Sequence, residues 1–362
     1  MFVGWRDLKF AKGRFAVIGA VIVLLTMLVG LLSGLTAGLA AQNVSAITSL
    51  PAQQLVFAKP GGDAAVSFAQ SSISRQQYRQ WQSATGDRAE PLGISTTRAG
   101  NPATAVTAGV SVFGVRPGSP LAPDPARHLD QGQTVLSAAA AEDLGVGMGS
   151  QVQIGGRTLT VAAVTGDAYY SHTPVVWTDL AVWQGLSAAQ NGAAYATVLG
   201  LGEVPADVLA STDAAAGTVS QAPADSLSAI GSYTSENGSL QLIRGLLLVI
   251  SAMVMAAFFA VWTIQRQGDV AVLKAMGAAT GALLRDALGQ ALVLLVAGTA
   301  VGTSLVVAIG AALSATAMPF ELTVATAVLP ALAMVLLGAV GAALSVRKIT
   351  SVDPLTALGA TR

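Results

Sequence analysis

Apolar positions gather in four unbroken stretches separated by polar segments of very unequal length. Phe15 to Ala40 carries no charge and only Thr26, Ser33 and Thr36 as hydroxyl residues. Gly245 to Ile264 is uncharged and bracketed by Arg244 and Arg266. Ala287 to Leu313 is uncharged and begins after Arg285-Asp286. Thr323 to Val346 is uncharged and stops at Arg347-Lys348. A membrane-spanning helix needs ~20 mainly apolar residues, because each backbone polar group must find its partner inside the helix. A single Asp or Lys at the centre of such a span costs ~2.5–3.5 kcal/mol, and none of the four carries one. The pattern predicts four transmembrane helices.

The long polar interval, residues 51–223, follows a different period. Pro51 and Pro60-Gly61-Gly62 punctuate its entry. Val110 to Val115 alternates as a strand, and Val135 to Leu144 reads as a helix ended by Gly145. Gln151 to Ile154, Gly155-Gly156 and Arg157 to Val164 read as a β-hairpin. Val175 to Trp177 is a further strand, and Asp179 is placed to cap a helix running through Gln184. Pro223-Ala224-Asp225-Ser226 opens a helix with no strong breaker before Gly238, so it continues into the second span. The first span runs on through Gln42 to Leu50 and stops before Pro51. Two projecting helices would form a stalk; ~10–15 extra residues at 1.5 Å each add about 15–22 Å. The fold class is therefore a membrane protein: four transmembrane α-helices with an α+β extracytoplasmic domain inserted between helices 1 and 2. The segments are 1–50 (interfacial helix, span one and stalk), 51–223 (outer domain), 224–264 (stalk and span two), 265–286 (cytoplasmic loop), 287–346 (spans three and four) and 347–362 (tail).

Composition agrees: 53% of residues are hydrophobic and only 10% charged, against about 25% charged in soluble domains. Net charge is zero, which leaves no basic field for nucleic acid. Cysteine is absent, which excludes disulfides, thiolate metal sites and a cysteine nucleophile. The flanking charges orient the spans. Four basic residues precede span one against Asp7 alone; the segment 41–244 carries 9 basic and 14 acidic residues. By the positive-inside rule both termini are cytoplasmic and residues 41–244 are extracytoplasmic in a cell-membrane protein. The rival reading is a cleaved signal peptide ending near Gly38 and Ala40, but the apolar run is about twice a normal signal core. The opening residues place Phe2, Trp5 and Leu8 on one side at helical spacing, as an interfacial helix on membrane lipid would.

Two segments stand out. Gly30, Gly34 and Gly38 repeat at four-residue spacing, a small-residue face suited to dimer packing or to close helix packing; Gly298 and Gly302 repeat it in span three. Between spans two and three, Val270, Leu273, Leu283 and Leu284 give a short amphipathic helix, a turn at Gly277 and the lead into span three. Such a helix is either a docking surface for a soluble partner or a solvated connection. No G-x-x-x-x-G-K-[ST] occurs, so the chain holds no phosphate-cradling loop of its own. No Ser/His/Asp or His-Glu-x-x-His pattern is present; no catalytic residue, metal site or bound cofactor is expected.

GDVAVLKAMGA followed by LLRDALGQALVLLVAG resembles the coupling loop of MacB/FtsX-type ABC transporter permeases. The ending RKITSVDPLTALGATR, with Asp353-Pro354 and Ala357-Leu358, the start WRDLKFAKGRFA, and VLSAAAAEDLGVGMGSQVQIGGRTLTVAAV are similar to that family's termini and outer domain. The resemblance covers all four spans and part of the outer domain. It implies a homodimer working with two copies of a cytosolic ABC ATPase, a separate chain, which would touch Lys274, Ala275, Met276 and Gly277. Within the family, the compact outer domain, WRDLKFAKGRF and LSGLTAGLAAQN look most like the haem-exporting permeases of Gram-positive bacteria.

That resemblance makes haem the expected transported substrate. Iron takes His, Met, Cys or Tyr as axial ligands. Candidate contacts are Tyr233 and Glu236 at the entry to span two, the polar aromatic cluster Tyr169, Tyr170 and His172, and Gln42 and Asn43 at the top of span one. Each has a plainer alternative: Tyr233 as a headgroup anchor, Glu236 as a solvated charge, 169–172 as a loop packed on its own strand. Other family functions stand beside haem export: an exporter of antimicrobial peptides or macrolides, and a non-transporting transducer that switches a cell-wall hydrolase.

Overall fold

The computed structural model describes residues 12–191, 194–314, 316 and 318–350. The expected interfacial helix at Phe2 and Trp5 and the motif at Asp353-Pro354 and Ala357-Leu358 lie outside them. The chain divides into two compact units: residues 39–238, and residues 12–38 with 239–350. Helix α1 (Lys12–Thr48) begins in one and ends in the other.

The unit 39–238 is built on one mixed sheet. Its elements are β1 (Gln54–Ala58), α2 (Arg75–Thr85), β2 (Ala89–Gly100), β3 (Thr107–Val115), α3 (Asp124–Arg127), β4 (Gln133–Leu136), α4 (Ala138–Leu144), β5 (Gln151–Ile154), β6 (Arg157–Val164), β7 (Tyr169–Tyr170), β8 (Thr173–Asp179), α5 (Leu180–Asn191), β9 (Val198–Leu201), α6 (Ala206–Ala216) and β10 (Thr218–Gln221). The strand order is β10-β1-β9-β2-β3-β8-β4-β6-β5. The far end of β2 returns to pair with β5 through Ala99–Ile154 and Gly100–Gln153, so six strands close into a circuit. Residues 89–94 of β2 are buried on both faces, and the strand alternates only beyond them. A strand covered on both sides needs no polar alternation.

The Gly155-Gly156 hairpin forms with the expected bounds, both glycines at positive φ. Asp179 accepts from the Ala181 amide at 2.7 Å and caps α5. The expected helix over 135–144 is corrected. Val135 and Leu136 lie in β4 between β8 and β6, whose backbones take their hydrogen bonds. The helix starts only at Ala138, where Ser137 is extended and accepts from the Ala140 amide. The expected helix start at Pro223 is corrected too. A 3-10 turn (Asp225–Ala229) and an extended Ile230 come first, because Ala229 and Ile230 are buried in the sheet's core. Helix α7 begins at Gly231 and runs to Gln265, carrying Gly238 inside it.

The second unit holds residues 12–38 of α1, α7 from residue 239, α8 (Gln267–Ala275), α9 (Thr280–Leu313) and α10 (Val324–Thr350). Among the described residues, four helical stretches are long and apolar enough to cross a membrane: Phe15–Thr48, Gly231–Gln265, Thr280–Leu313 and Val324–Ser345. Their shared core includes Phe15, Ile22, Met255, Phe259, Leu295 and Met334.

The glycine stripe of α1 is used inside the chain. A Cβ at Gly30 would meet the Val306 methyl at 2.6 Å; at Gly34 it would strike the Phe320 ring, and at Gly38 the Pro319 carbonyl. From α9, Gly298 faces Ile22 and Gly302 faces Thr26, each at 2.8 Å. Of the two roles expected for Gly30, Gly34 and Gly38, dimer packing or close helix packing, the chain shows the second: α9 and the turn before α10 lie against that face.

Candidate functional site

Within the unit 39–238, three remote segments converge on one polar cluster. Asn43 lies near the end of α1, His172 in the turn between β7 and β8, and Glu236 in the first turns of α7. Ser171 and His172 form a two-residue hairpin turn with φ of 51° and 63°. Positive φ at both central positions is the geometry that matches strand twist, normally supplied by Asn-Gly. In Ser and His it costs about 1–3 kcal/mol each. Two backbone bonds offset that cost: the amides of Ser171 and His172 donate to the carbonyls of Asn43 and Gln42, both at 3.0 Å. The Tyr169 amide adds a third tie, donating to Ser45 Oγ at 2.9 Å.

These ties aim the imidazole at the carboxylate. His172 Nε2 lies 2.6 Å from Glu236 Oε2. Asn43 Nδ2 donates to the same oxygen at 3.1 Å and lies 2.8 Å from His172 Nε2. A carboxylate oxygen can accept from both an Nε2–H and an amide N–H, so the consistent assignment has His172 donating to Glu236. Asn43 Oδ1 accepts from Ser232 Oγ at 2.5 Å, and the Ser171 hydroxyl lies 2.8 Å from Ser232 Oγ. Asn43 is 2% exposed, whereas the His172 and Glu236 side chains are 31% and 44% exposed. The cluster thus has a buried amide base and an open His–Glu face.

The other expected contacts fall unevenly. Gln42 contributes its carbonyl rather than its side chain. Tyr233 is half-buried and packs against the core of the outer unit. Tyr169 is half-buried, and burial, with Asp167 nearby, raises its phenol above the ordinary value. Tyr170 is corrected to a core residue. It is 7% exposed, meets Phe68 and Phe113 edge-on at 5.8 Å, and burial pushes its phenol well up. Ser171 and Ser232 belong to the cluster without having been foreseen. Ser232 lies four residues before Glu236, on the same helical face, and that spacing was the available signal. Among the described residues no group of three or more His, Cys, Asp and Glu side chains is placed to hold a metal ion.

In the other unit, Lys274, Ala275, Met276 and Gly277 close α8. The Gly277 amide donates to the Lys274 carbonyl and the Ala278 amide to the Leu273 carbonyl, both at 3.0 Å. This Schellman-type ending needs a left-handed residue, and Gly277 supplies φ +90°. Val272 and Met276 are 53% and 70% exposed, while Ala271 is buried. The helix therefore shows apolar side chains on its open side.

Residues 16–222 match the MacB-like periplasmic core domain, and residues 242–354 match the FtsX-like permease C-terminal domain. Proteins of Staphylococcus haemolyticus and Staphylococcus epidermidis, each named "Putative hemin transport system permease protein HrtB", are both 25% identical to this chain over 360 and 361 residues, 99% of this chain and 99% of theirs. The crystal structure of the periplasmic region of MacB from Actinobacillus actinomycetemcomitans aligns with a TM-score of 0.35 at 11% identity, over 49% of this chain and 92% of that one.

Proposed function

The chain belongs to the MacB/FtsX-type permeases of ABC transporters, and we propose that it is the permease subunit of an ATP-driven exporter that moves a lipophilic substrate, haem, out of the membrane. In this reading two copies form a homodimer and recruit two copies of a cytosolic ATPase through α8. Both termini lie in the cytoplasm and residues 41–244 outside, in keeping with the basic flanks of the spans. Full-length similarity to proteins named as hemin permeases supports the substrate.

The observation that carries the reading is the open His172–Glu236 pair, 2.6 Å apart and backed by buried Asn43. An imidazole nitrogen is an ordinary iron ligand, and a phenol serves as well. Tyr233 lies three residues before Glu236 on α7, so both project from neighbouring positions of one helix. Homodimer symmetry would supply each group twice. His172 Nε2 would exchange Glu236 for iron, leaving the carboxylate to accept from Asn43.

The deciding experiment is haem tolerance of a strain lacking this chain. Haem export requires growth inhibition at haem concentrations the parent tolerates; unchanged tolerance removes haem as the substrate. The site is tested on the purified protein by its Soret band with added haem. Loss or displacement of that band in His172→Ala or Glu236→Ala supports the site, and an unchanged spectrum in both rejects it.

A further inference from the structure

A second polar chain lies where α8 leaves the bundle. Arg266 separates α7 from α8, its backbone out of regular helix at φ −98°, ψ 3°. Its Nη1 donates to Gln290 Oε1 on α9 at 2.7 Å, and Gln290 Nε2 donates to Asp286 Oδ2, one turn earlier on α9, at 2.9 Å. Gln290 is 4% exposed. The Arg266 guanidinium stands 5.2 Å over the Trp262 ring, which meets Phe259 and, from α1, Phe15 edge-on at 6.3 and 6.2 Å. Trp262 is itself 4% exposed. The charge-assisted bond from Arg266 to Gln290 thus joins the end of α7 to α9, the cation–π contact holds Arg266 to α7, and the aromatic contacts bring in α1.

We propose that Arg266, Gln290 and Asp286 form a latch that makes the ends of α7 and α9 move as one body when a partner pushes on α8. This rests on the reading that α8 receives the ATPase. Helix α8 is joined to the bundle at two places, after Arg266 and before Thr280. A load on it would spread those two ends if nothing tied them. Gln290 suits the tie because one amide accepts from the cation and donates to the anion. Glu at this position would keep the bond from Arg266 but set two carboxylates side by side, and Leu would remove both bonds. Gln290 acts through its neighbours and is a positioning residue.

The test uses the full chain with its ATPase in lipid nanodiscs, compared nucleotide-free and vanadate-trapped by hydrogen exchange across residues 239–262. In the wild type the exchange differs between the two states. In Q290L that difference falls about three- to tenfold, whereas Q290E, whose carboxylate still accepts from Arg266, keeps it. The ATPase still co-purifies, and the thermal midpoint stays near the wild-type value. The pair Q290E/D286N, which restores a donor beside the new carboxylate, keeps the response as well. A wild-type response in Q290L overturns the latch, as does a loss in Q290E equal to that in Q290L or a loss explained by general unfolding. If no ATPase associates with the wild-type chain, the docking reading fails first, and the latch falls with it.

Discussion

His172 Nε2 and Glu236 Oε2 lie 2.6 Å apart although 64 positions separate the residues in the chain. Buried Asn43 stands behind both, and the three residues arrive from a hairpin turn and from two long helices. Stability and binding should therefore divide among them, because the buried member and the open members face different solvents.

Asn43→Ala should destabilise the protein by about 1–3 kcal/mol, since it removes a buried amide that accepts from Ser232 and donates to Glu236. Glu236→Ala should cost less than about 1 kcal/mol, because that carboxylate is largely hydrated. Thermal unfolding in detergent checks the order. A larger loss for Glu236→Ala would mean that the carboxylate is structural.

Haem titration of His172→Ala, Glu236→Ala and the double variant should be non-additive by about 0.5–3 kcal/mol, as is usual for groups in direct contact. Strictly additive losses would show that the two act as separate sites.

Gly38→Ala should lower the unfolding midpoint, with an overpacking cost of about 1–3 kcal/mol, because its Cβ would strike the backbone carbonyl of Pro319. Gly19→Ala, whose Cβ meets nothing within 4 Å, is the control and should be neutral. Equal midpoints for the two would contradict the packing of α1 on the turn before α10.

Gly277→Ala forces a side chain into φ +90°, at about 1–3 kcal/mol of strain in the turn after α8. The expected outcome is weaker recovery of the ATPase with the purified permease, while the circular dichroism signal of the spans is retained. Full recovery would separate the turn from docking.

Tyr170 makes a prediction about alkaline pH. Burial raises its phenol well above the ordinary value of 10.0. The folded state therefore holds the proton more tightly than the unfolded state. The resulting stability is complete below pH 10 and is lost as pH rises through the folded value. Tyr170→Phe should flatten the decline in stability above pH 10, measured as thermal midpoint against pH. An unchanged slope would place the decline elsewhere.

Much of the architecture was readable because its causes are local. The hairpin at Gly155-Gly156 follows from two glycines between alternating runs, and the turn at Gly277 from a glycine closing an amphipathic segment. Residues 135–144 misled because apolar Val135-Leu136 and the following alanines share one composition; only the neighbours β8 and β6 assign the first two to a strand. The candidate site was legible in parts. Glu236, His172 and Asn43 stood out as polar residues near span ends, but as separate features. Tyr170 looked equal to its neighbours until the aromatic core enclosed it.

By itself the sequence determined the four spans, the outer insertion and the helix between spans two and three. Membrane insertion and tight turns depend on contiguous residues, since a helix in lipid must satisfy its own backbone. Only the tertiary structure decided which surfaces meet. Glycines at four-residue spacing announce a close approach without naming the partner, and here the partner is α9 and the Pro319–Phe320 turn. Likewise, the charge on Glu236 does not reveal His172 as its neighbour. Hydrogen bonds between remote residues depend on strand register and helix ends, and those are fixed only when the sheet closes.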